Sequence, residues 1–385
     1  MDISYILNEL GEDRAQYFNA VSPPIMQTSN FAFSKVEDLR KAFEDEMSGY
    51  LYSRGLNPTV DILRKKLAAL DGAEDALVLN SGASAIFAAV FANVKAGDHI
   101  ISVNKPYTWA WKMFDNILPR FGISTTYVDG TSIANFEKAI LPNTTIIYLE
   151  SPNSLTYELQ DLAAVASLAR SKGIITVIDN SYCTPIYQQP LALGIDISMQ
   201  TATKYLNGHS DTVGGVLCGS AVMMKKIFDS EYLNMGIGTS PFNAWLMIRG
   251  LRTLTARLER ITATTGTMLQ FLRQHPRVEE VIFPLQPGFP QYELANKQMR
   301  GACGLVTIVM KAERMEEIVK FCESLQHILM AVSWGGHESL ALPKCASLLP
   351  AQFDKTNREH KMIRFYFGLE EPAYLIRDIE QAFAS

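Results

Sequence analysis

The chain has 385 residues, 48% of them apolar and 19% charged, which excludes a disordered segment and allows a large core divided between two domains. A net charge of −5, with no basic run and no zinc-finger or RNA-reading spacing, argues against nucleic-acid binding. Five scattered cysteines (Cys183, Cys218, Cys303, Cys322 and Cys345) form no CxxC pair, so they predict buried thiols in a reducing compartment rather than a disulfide framework.

Residues 1–50 read as an irregular arm around Pro23-Pro24, with a helical pattern from Val36 to Met47. Such an arm is expected to contribute to a dimer contact. Its acidic start has no long apolar core, and no run reaches membrane-spanning length, so the expectation is a cytoplasmic protein with no membrane partner.

Residues 51–245 alternate strand and helix and predict a large domain. The strands are Ala76–Leu79, His99–Val103, Thr125–Val128, Thr145–Leu149, Ile174–Ile178, Asp196–Gln200 and Val213–Cys218. Helices are expected over Ala83–Val94, Trp109–Leu118 and Leu162–Ser171. Apolar strands separated by helices imply an α/β fold with a mostly parallel sheet covered on both faces, whose ligands sit at the carboxyl ends of the strands. Residues 246–385 predict a smaller α+β C-terminal domain. It begins with a long helix from Asn243 through Arg260, continues with strands near Val278–Ile282, Gly304–Met310 and Ile363–Phe367, and closes with a helix from Tyr374 to Phe383.

Two strand ends carry the chemistry. Thr201-Ala-Thr203-Lys204 follows the Asp196 strand, and Asp179 ends the Ile174 strand. A lysine beside a buried strand is costly unless its charge is used or neutralised. Either the two residues form an ion pair, or Lys204 forms a Schiff base with an aldehyde cofactor whose ring nitrogen faces Asp179, as pyridoxal phosphate requires.

Asn80-Ser81-Gly82-Ala83-Ser84 lies between a strand and a helix. It is either a simple cap or a phosphate site made from free amides, with Ser84 adding a hydroxyl. Thr201 and Thr203 are read as one side of an extended segment that could add phosphate contacts. Tyr52-Ser-Arg54 offers an arginine suited to phosphate, and Tyr107 could stack on a pyridine ring. Arg364 sits in an apolar strand and requires an anionic partner, either an internal carboxylate or a substrate carboxylate. His209 and His337 have no spaced partner histidines, so no metal site is assigned.

Together, Tyr52-Ser-Arg54…Asn57-Pro-Thr59, Ala202-Thr-Lys204-Tyr-Leu-Asn-Gly-His-Ser-Asp211 and Ser333-Trp-Gly-Gly336 resemble the pyridoxal-phosphate family of cysteine and methionine metabolism, and the likeness covers nearly the whole chain. The resemblance implies the PLP-dependent transferase fold type I and a homotetramer built as a dimer of dimers. It implies pyridoxal 5'-phosphate as cofactor and a small sulfur amino acid as substrate. By it, Lys204 is the Schiff-base lysine and general base, Asp179 the ring-nitrogen partner and Tyr107 the stacking tyrosine. Gly82, Ala83, Thr201 and Thr203 form the phosphate site. Tyr52 and Arg54 reach the cofactor of a neighbouring subunit. Arg364, helped by Ser333 and the Asn153-Ser154 turn, with Trp334 alongside, holds the substrate.

Ser151-Pro-Asn-Ser-Leu155 and Tyr107-Thr-Trp109-Ala110 depart from patterns common in the family, and Glu150-Ser-Pro-Asn-Ser-Leu-Thr-Tyr-Glu-Leu159 and Ser333-Trp-Gly-Gly336 look most similar to bacterial β-lyases. The expectation is therefore a carbon–sulfur β-lyase acting on cystathionine or related cysteine conjugates, with γ-elimination or γ-replacement as the alternative. Val332 stands where members acting at Cγ of cystathionine often carry glutamate, whereas methionine γ-lyases can carry valine. A cofactor-free binding protein on the same fold is the reading from another class.

Overall fold

The computed structural model describes residues 1–385. Its larger sheet has seven strands: β1 (Asp75–Leu79), β2 (His99–Val103), β3 (Ser124–Val128), β4 (Thr144–Glu150), β5 (Ile175–Asp179), β6 (Ile197–Gln200) and β7 (Gly215–Gly219). Across the sheet they lie in the order β1-β7-β6-β5-β4-β2-β3. Strands β2 to β6 are mutually parallel. Only β7 runs antiparallel, to both β1 and β6.

The apolar runs follow from cover on both faces. Ile100, Ile146 and Val177 join one core cluster, while their neighbours Ile101, Ile147 and Ile178 join another. Successive strand residues point to opposite faces, so a strand buried on both sides must be apolar throughout. All the parallel strands end at one edge, and that edge carries Glu150, Asp179 and the turn after Gln200.

The second sheet has the order β10-β11-β12-β9-β8, from β8 (Val278–Ile282), β9 (Leu305–Met310), β10 (Leu329–Met330), β11 (Leu340–Pro343) and β12 (Met362–Tyr366). Strands β10 and β11 escape sequence reading because they span only 2 and 4 residues, too short to show a period. One continuous apolar cluster runs from Leu63 beside the large sheet to Ile379 in the closing helix.

Two expected helices differ. The long helix from Asn243 is two helices, Pro241–Leu251 and Leu254–Gln274. At the break, the Gly250 carbonyl accepts from the Thr253 hydroxyl at 3.2 Å and from Arg257 Nη2 at 2.9 Å, which diverts it from the helical ladder. The 245/246 boundary falls inside the first of these helices. The helix expected over Trp109–Leu118 widens to a π-turn at Met113–Ile117 and tightens to a 3₁₀ turn at Leu118–Phe121, where Pro119 lacks the amide an α-helix needs.

The N-terminal arm is divided. Ile6 and Leu7 are buried in the main core, and the fully buried Glu12 carboxylate meets the equally buried Lys66 ammonium at 3.0 Å. Further along, Phe18, Val21, Val36 and Phe43 stand exposed. The helix expected from Val36 to Met47 stops at Glu44. No helix is long and apolar enough to cross a membrane. All five cysteines are free and buried.

Candidate active site

A cleft of ≈ 190 Å³ opens at the carboxyl edge of the large sheet. Ser81, Gly82 and Ala83 line one end, and Tyr107, Ser154, Asp179, Ser181, Lys204 and Trp334 are among the residues that line the rest.

At the first end, Ser81 caps the Gly82–Phe91 helix, accepting from the Ser84 amide at 3.1 Å. The first amides of a helix have no acceptor within it, so those of Gly82 and Ala83 remain available to an anion, with the positive end of the helix dipole behind them. A Cβ built on Gly82 would stand 2.2 Å from Thr201 Oγ1. Only glycine lets the threonine hydroxyl and the helix start approach this closely. Ser84, expected to add a hydroxyl to this site, instead donates to the Asn80 side chain at 2.8 Å and the Ser81 carbonyl at 2.8 Å.

Thr201–Lys204 is not extended. The Lys204 amide donates to Thr201 O at 3.1 Å and the Gly208 amide to Lys204 O at 2.8 Å, so the segment is a turn. Thr201 and Thr203 line the cleft from that turn, and Thr203 also receives the Gly214 amide at 3.1 Å.

Lys204 is largely enclosed. Burial first, then the charge of Arg364, pulls its amine down to about 8, against the opposing pull of Asp179. Its Nζ donates to Ser333 Oγ and stands 4.3 Å over the Trp334 ring. Gly335, at φ +89, presses onto the same turn: a Cβ there would meet Tyr205 N at 2.6 Å. The Ser333–Gly336 loop of the second sheet region thus packs directly on the lysine backbone.

Asp179 is 6% exposed and accepts from the Ser181 amide at 2.9 Å. Burial raises its carboxyl, while the Ser181 hydroxyl and amide and the Lys204 charge hold it down. Arg364, from β12, donates to the carbonyls of Ser154 at 3.2 Å and Ser333 at 3.3 Å, and its Cζ lies 5.0 Å from the centre of the Trp334 ring. Two of its five N–H donors go to backbone and none to an internal carboxylate, so its charge and remaining donors are available for an anion.

Three predicted residues lie elsewhere. Asn153 faces a neighbouring polar cavity. Its side chain closes a turn, accepting from the amides of Leu155, Thr156 and Tyr157 at 3.0, 2.9 and 3.1 Å, and Ser154 takes its place in the cleft. Tyr52 and Arg54 line a separate apolar hollow with Phe31, Phe33 and Phe43. Sequence reasoning missed Ser181 and Glu150. Glu150 carries the signal that marked Asp179, an acid closing an apolar strand.

The residues present fit pyridoxal phosphate. The Gly82–Thr201 cradle matches a phosphate, the buried Asp179 a ring nitrogen, and the Lys204 amine an aldehyde. Tyr182 Oη and Trp334 Nε1, both lining the cleft, are buried without a protein partner.

Comparison with known proteins decides the family. The sequence profile of the Cys/Met metabolism PLP-dependent enzyme family matches residues 6–384. This chain belongs to that family. An L-methionine gamma-lyase from Pseudomonas putida is 35% identical over 97% of this chain and 94% of its own length. Human cystathionine gamma-lyase is 36% identical over 97% of this chain and 91% of its own. The crystal structure of metB from Corynebacterium glutamicum superposes with a TM-score of 0.91 at 31% identity, covering 100% of this chain and 98% of that one. The fold is that of a PLP-dependent enzyme of type I, and the cofactor is pyridoxal 5'-phosphate. The activities named for these lyases are at Cγ, which favours the γ-alternative over the β-lyase expectation.

Proposed function

We propose that this protein is a carbon–sulfur lyase that eliminates a thiol from Cγ of a sulfur amino acid of the methionine or cystathionine class. The observation that carries this is the agreement of lyase relatives, matched over nearly the whole chain, on γ-chemistry. Elimination from Cγ consumes one water and yields the thiol, 2-oxobutyrate and ammonia.

When bound, the cofactor supplies an aldehyde for imine exchange and an electron-accepting ring. Gly82, Ala83, Thr201 and Thr203 would hold its phosphate, and Asp179 would keep a proton on its ring nitrogen. Arg364 would bind the substrate carboxylate and set which bond at Cα is labile. The Lys204 amine, lowered to about 8, has a substantial neutral fraction near physiological pH and so can take the Cα proton and, once it has passed that on, the Cβ proton that departure of sulfur from Cγ requires. The Tyr107 phenol, raised by burial and then by the charge of Asp179, stays protonated and would give its proton to the leaving sulfur. Trp334 shields Lys204 and Arg364 from water. The exposed apolar arm around Val36 and Phe43, beside Tyr52 and Arg54, supports assembly with further copies of the chain, expected as a dimer of dimers.

One observation favours the second reading, β-elimination: Trp334 of the β-lyase-like Ser333-Trp-Gly-Gly336 run sits inside the cleft. Incubation with cystathionine distinguishes the two. Release of 2-oxobutyrate and cysteine supports γ-elimination. Release of pyruvate and homocysteine overturns it.

A further inference from the structure

Two acids close adjacent parallel strands, Glu150 on β4 and Asp179 on β5, paired directly in register. Both are 6% exposed, and both line the cleft. Two carboxyls this close in a buried site cannot both ionise cheaply.

Their surroundings differ. Asp179 has the Ser181 amide and hydroxyl and the charge of Lys204. Glu150 Oε2 accepts from the Tyr107 amide at 2.6 Å. The Arg364 charge acts on it, but that guanidinium donates to the carbonyls of Ser154 and Ser333 instead. On its far side Glu150 borders a polar cavity of ≈ 270 Å³ with Lys105, Asp129 and Glu158. Lys105 is already paired with Glu158 and Glu359, each at 3.1 Å. Tyr148 and Tyr107 are the phenols near it. No cation is therefore committed to Glu150.

We propose that Glu150 is a positioning residue that works as a neutral carboxylic acid, fixing Tyr107 through its amide and leaving Asp179 and Arg364 as the charged groups for cofactor and substrate. The proposal rests on the cofactor site described above. Burial first, then the Asp179 charge, pushes the Glu150 carboxyl well above the usual range, against the Tyr107 and Ser154 amides and Arg364. A substrate carboxylate arriving at Arg364 adds negative charge to the cleft and strengthens the preference for the neutral acid.

Glu150→Gln and Glu150→Ala test it. Glutamine keeps an acceptor for the Tyr107 amide and carries no charge. E150Q holoenzyme is expected to match wild type in cofactor affinity, KM and the pH profile of kcat/KM. E150A is expected to lose kcat and cofactor affinity on the order of 10- to 100-fold, as when a contact that orients a reacting group is removed. Equal loss in E150Q and E150A would show that Glu150 works ionised. Unchanged behaviour in E150A would show that it positions nothing. Either result overturns the proposal while wild type still binds cofactor. Wild-type protein that binds no pyridoxal phosphate would instead overturn the site reading, and this proposal with it.

Discussion

The ammonium of Lys204 lies 4.3 Å over the ring of Trp334, and Arg364 approaches the same ring at 5.0 Å. One indole therefore contacts both side chains. Cation–π contacts are worth about 0.5–2 kcal/mol when desolvated. Trp334→Leu should raise KM for the amino-acid substrate by about tenfold, about 1.4 kcal/mol, through Arg364, and lower kcat as well, because the same ring touches the Lys204 amine. Steady-state kinetics check this. A pure kcat effect would place Trp334 in the chemical step instead.

The Gly82–Thr201 contact makes a second prediction. Gly82→Ala puts a methyl 2.2 Å from Thr201 Oγ1 and 3.1 Å from its Cβ and Cγ2. One of the two must move, and the cradle opens. Cofactor affinity should fall on the order of tenfold, about 1.4 kcal/mol, measured by titrating apoprotein with pyridoxal phosphate. Thr201→Gly in the same chain removes all three opposing atoms. It also removes the hydroxyl assigned to the phosphate, so if the clash is the cause, Gly82→Ala should cost little more affinity in the Thr201→Gly background than that variant has already lost, and the double-mutant cycle reports the coupling directly.

The amine of Lys204 titrates at about 8, lowered by burial and by Arg364 and raised by Asp179. In apoprotein, labelling of Lys204 by an amine reagent should therefore rise through about pH 8. Arg364→Gln removes a like charge and should move the midpoint up. Asp179→Asn removes the counter-charge and should move it down. Peptide mass analysis across pH gives both midpoints, and a midpoint unmoved in both variants would mean that burial alone sets the amine.

The parallel strands were legible because cover on both faces demands unbroken apolar runs, and Asp179 and Lys204 stood out because each breaks such a run. Arg364 was legible for the same reason. The direction of β7 was not, since an antiparallel strand buried on both faces reads like a parallel one. Which residue of the Asn153-Ser154 turn enters the cleft was not legible, because a side chain that closes its own turn looks, in sequence, like one free to bind. Glu150 carried the signal of Asp179, but what separates the two acids is the set of partners the fold brings to each: Ser181 and Lys204 to one, the Tyr107 amide to the other. Placing Tyr52 and Arg54 in a hollow of their own depended on the path of the arm, which has no periodic pattern to follow.

Asp71 provides a stability test away from the cleft. Its carboxyl is buried among Ser198, Gln200 and Cys218 with no cation, and burial raises it from 3.8 to about 6. The Gln200 amide donates to one oxygen at 3.3 Å, while the other has no partner. Because the folded value exceeds the unfolded one, the stabilising contribution of the protonated acid is complete below about pH 4 and is lost as the pH climbs to about 6. Near neutral pH the folded state thus carries a buried, unpaired carboxylate. Two units correspond to about 3 kcal/mol. Asp71→Asn keeps the acceptor for Gln200 and cannot ionise. Its stability relative to wild type should therefore rise between pH 4 and 6 by up to about 3 kcal/mol and then level off. Denaturant unfolding at a fixed protein concentration, pH by pH, measures the difference. A gap that does not change with pH would show that Asp71 keeps its usual acidity in the folded protein, which would require water or a cation to reach it.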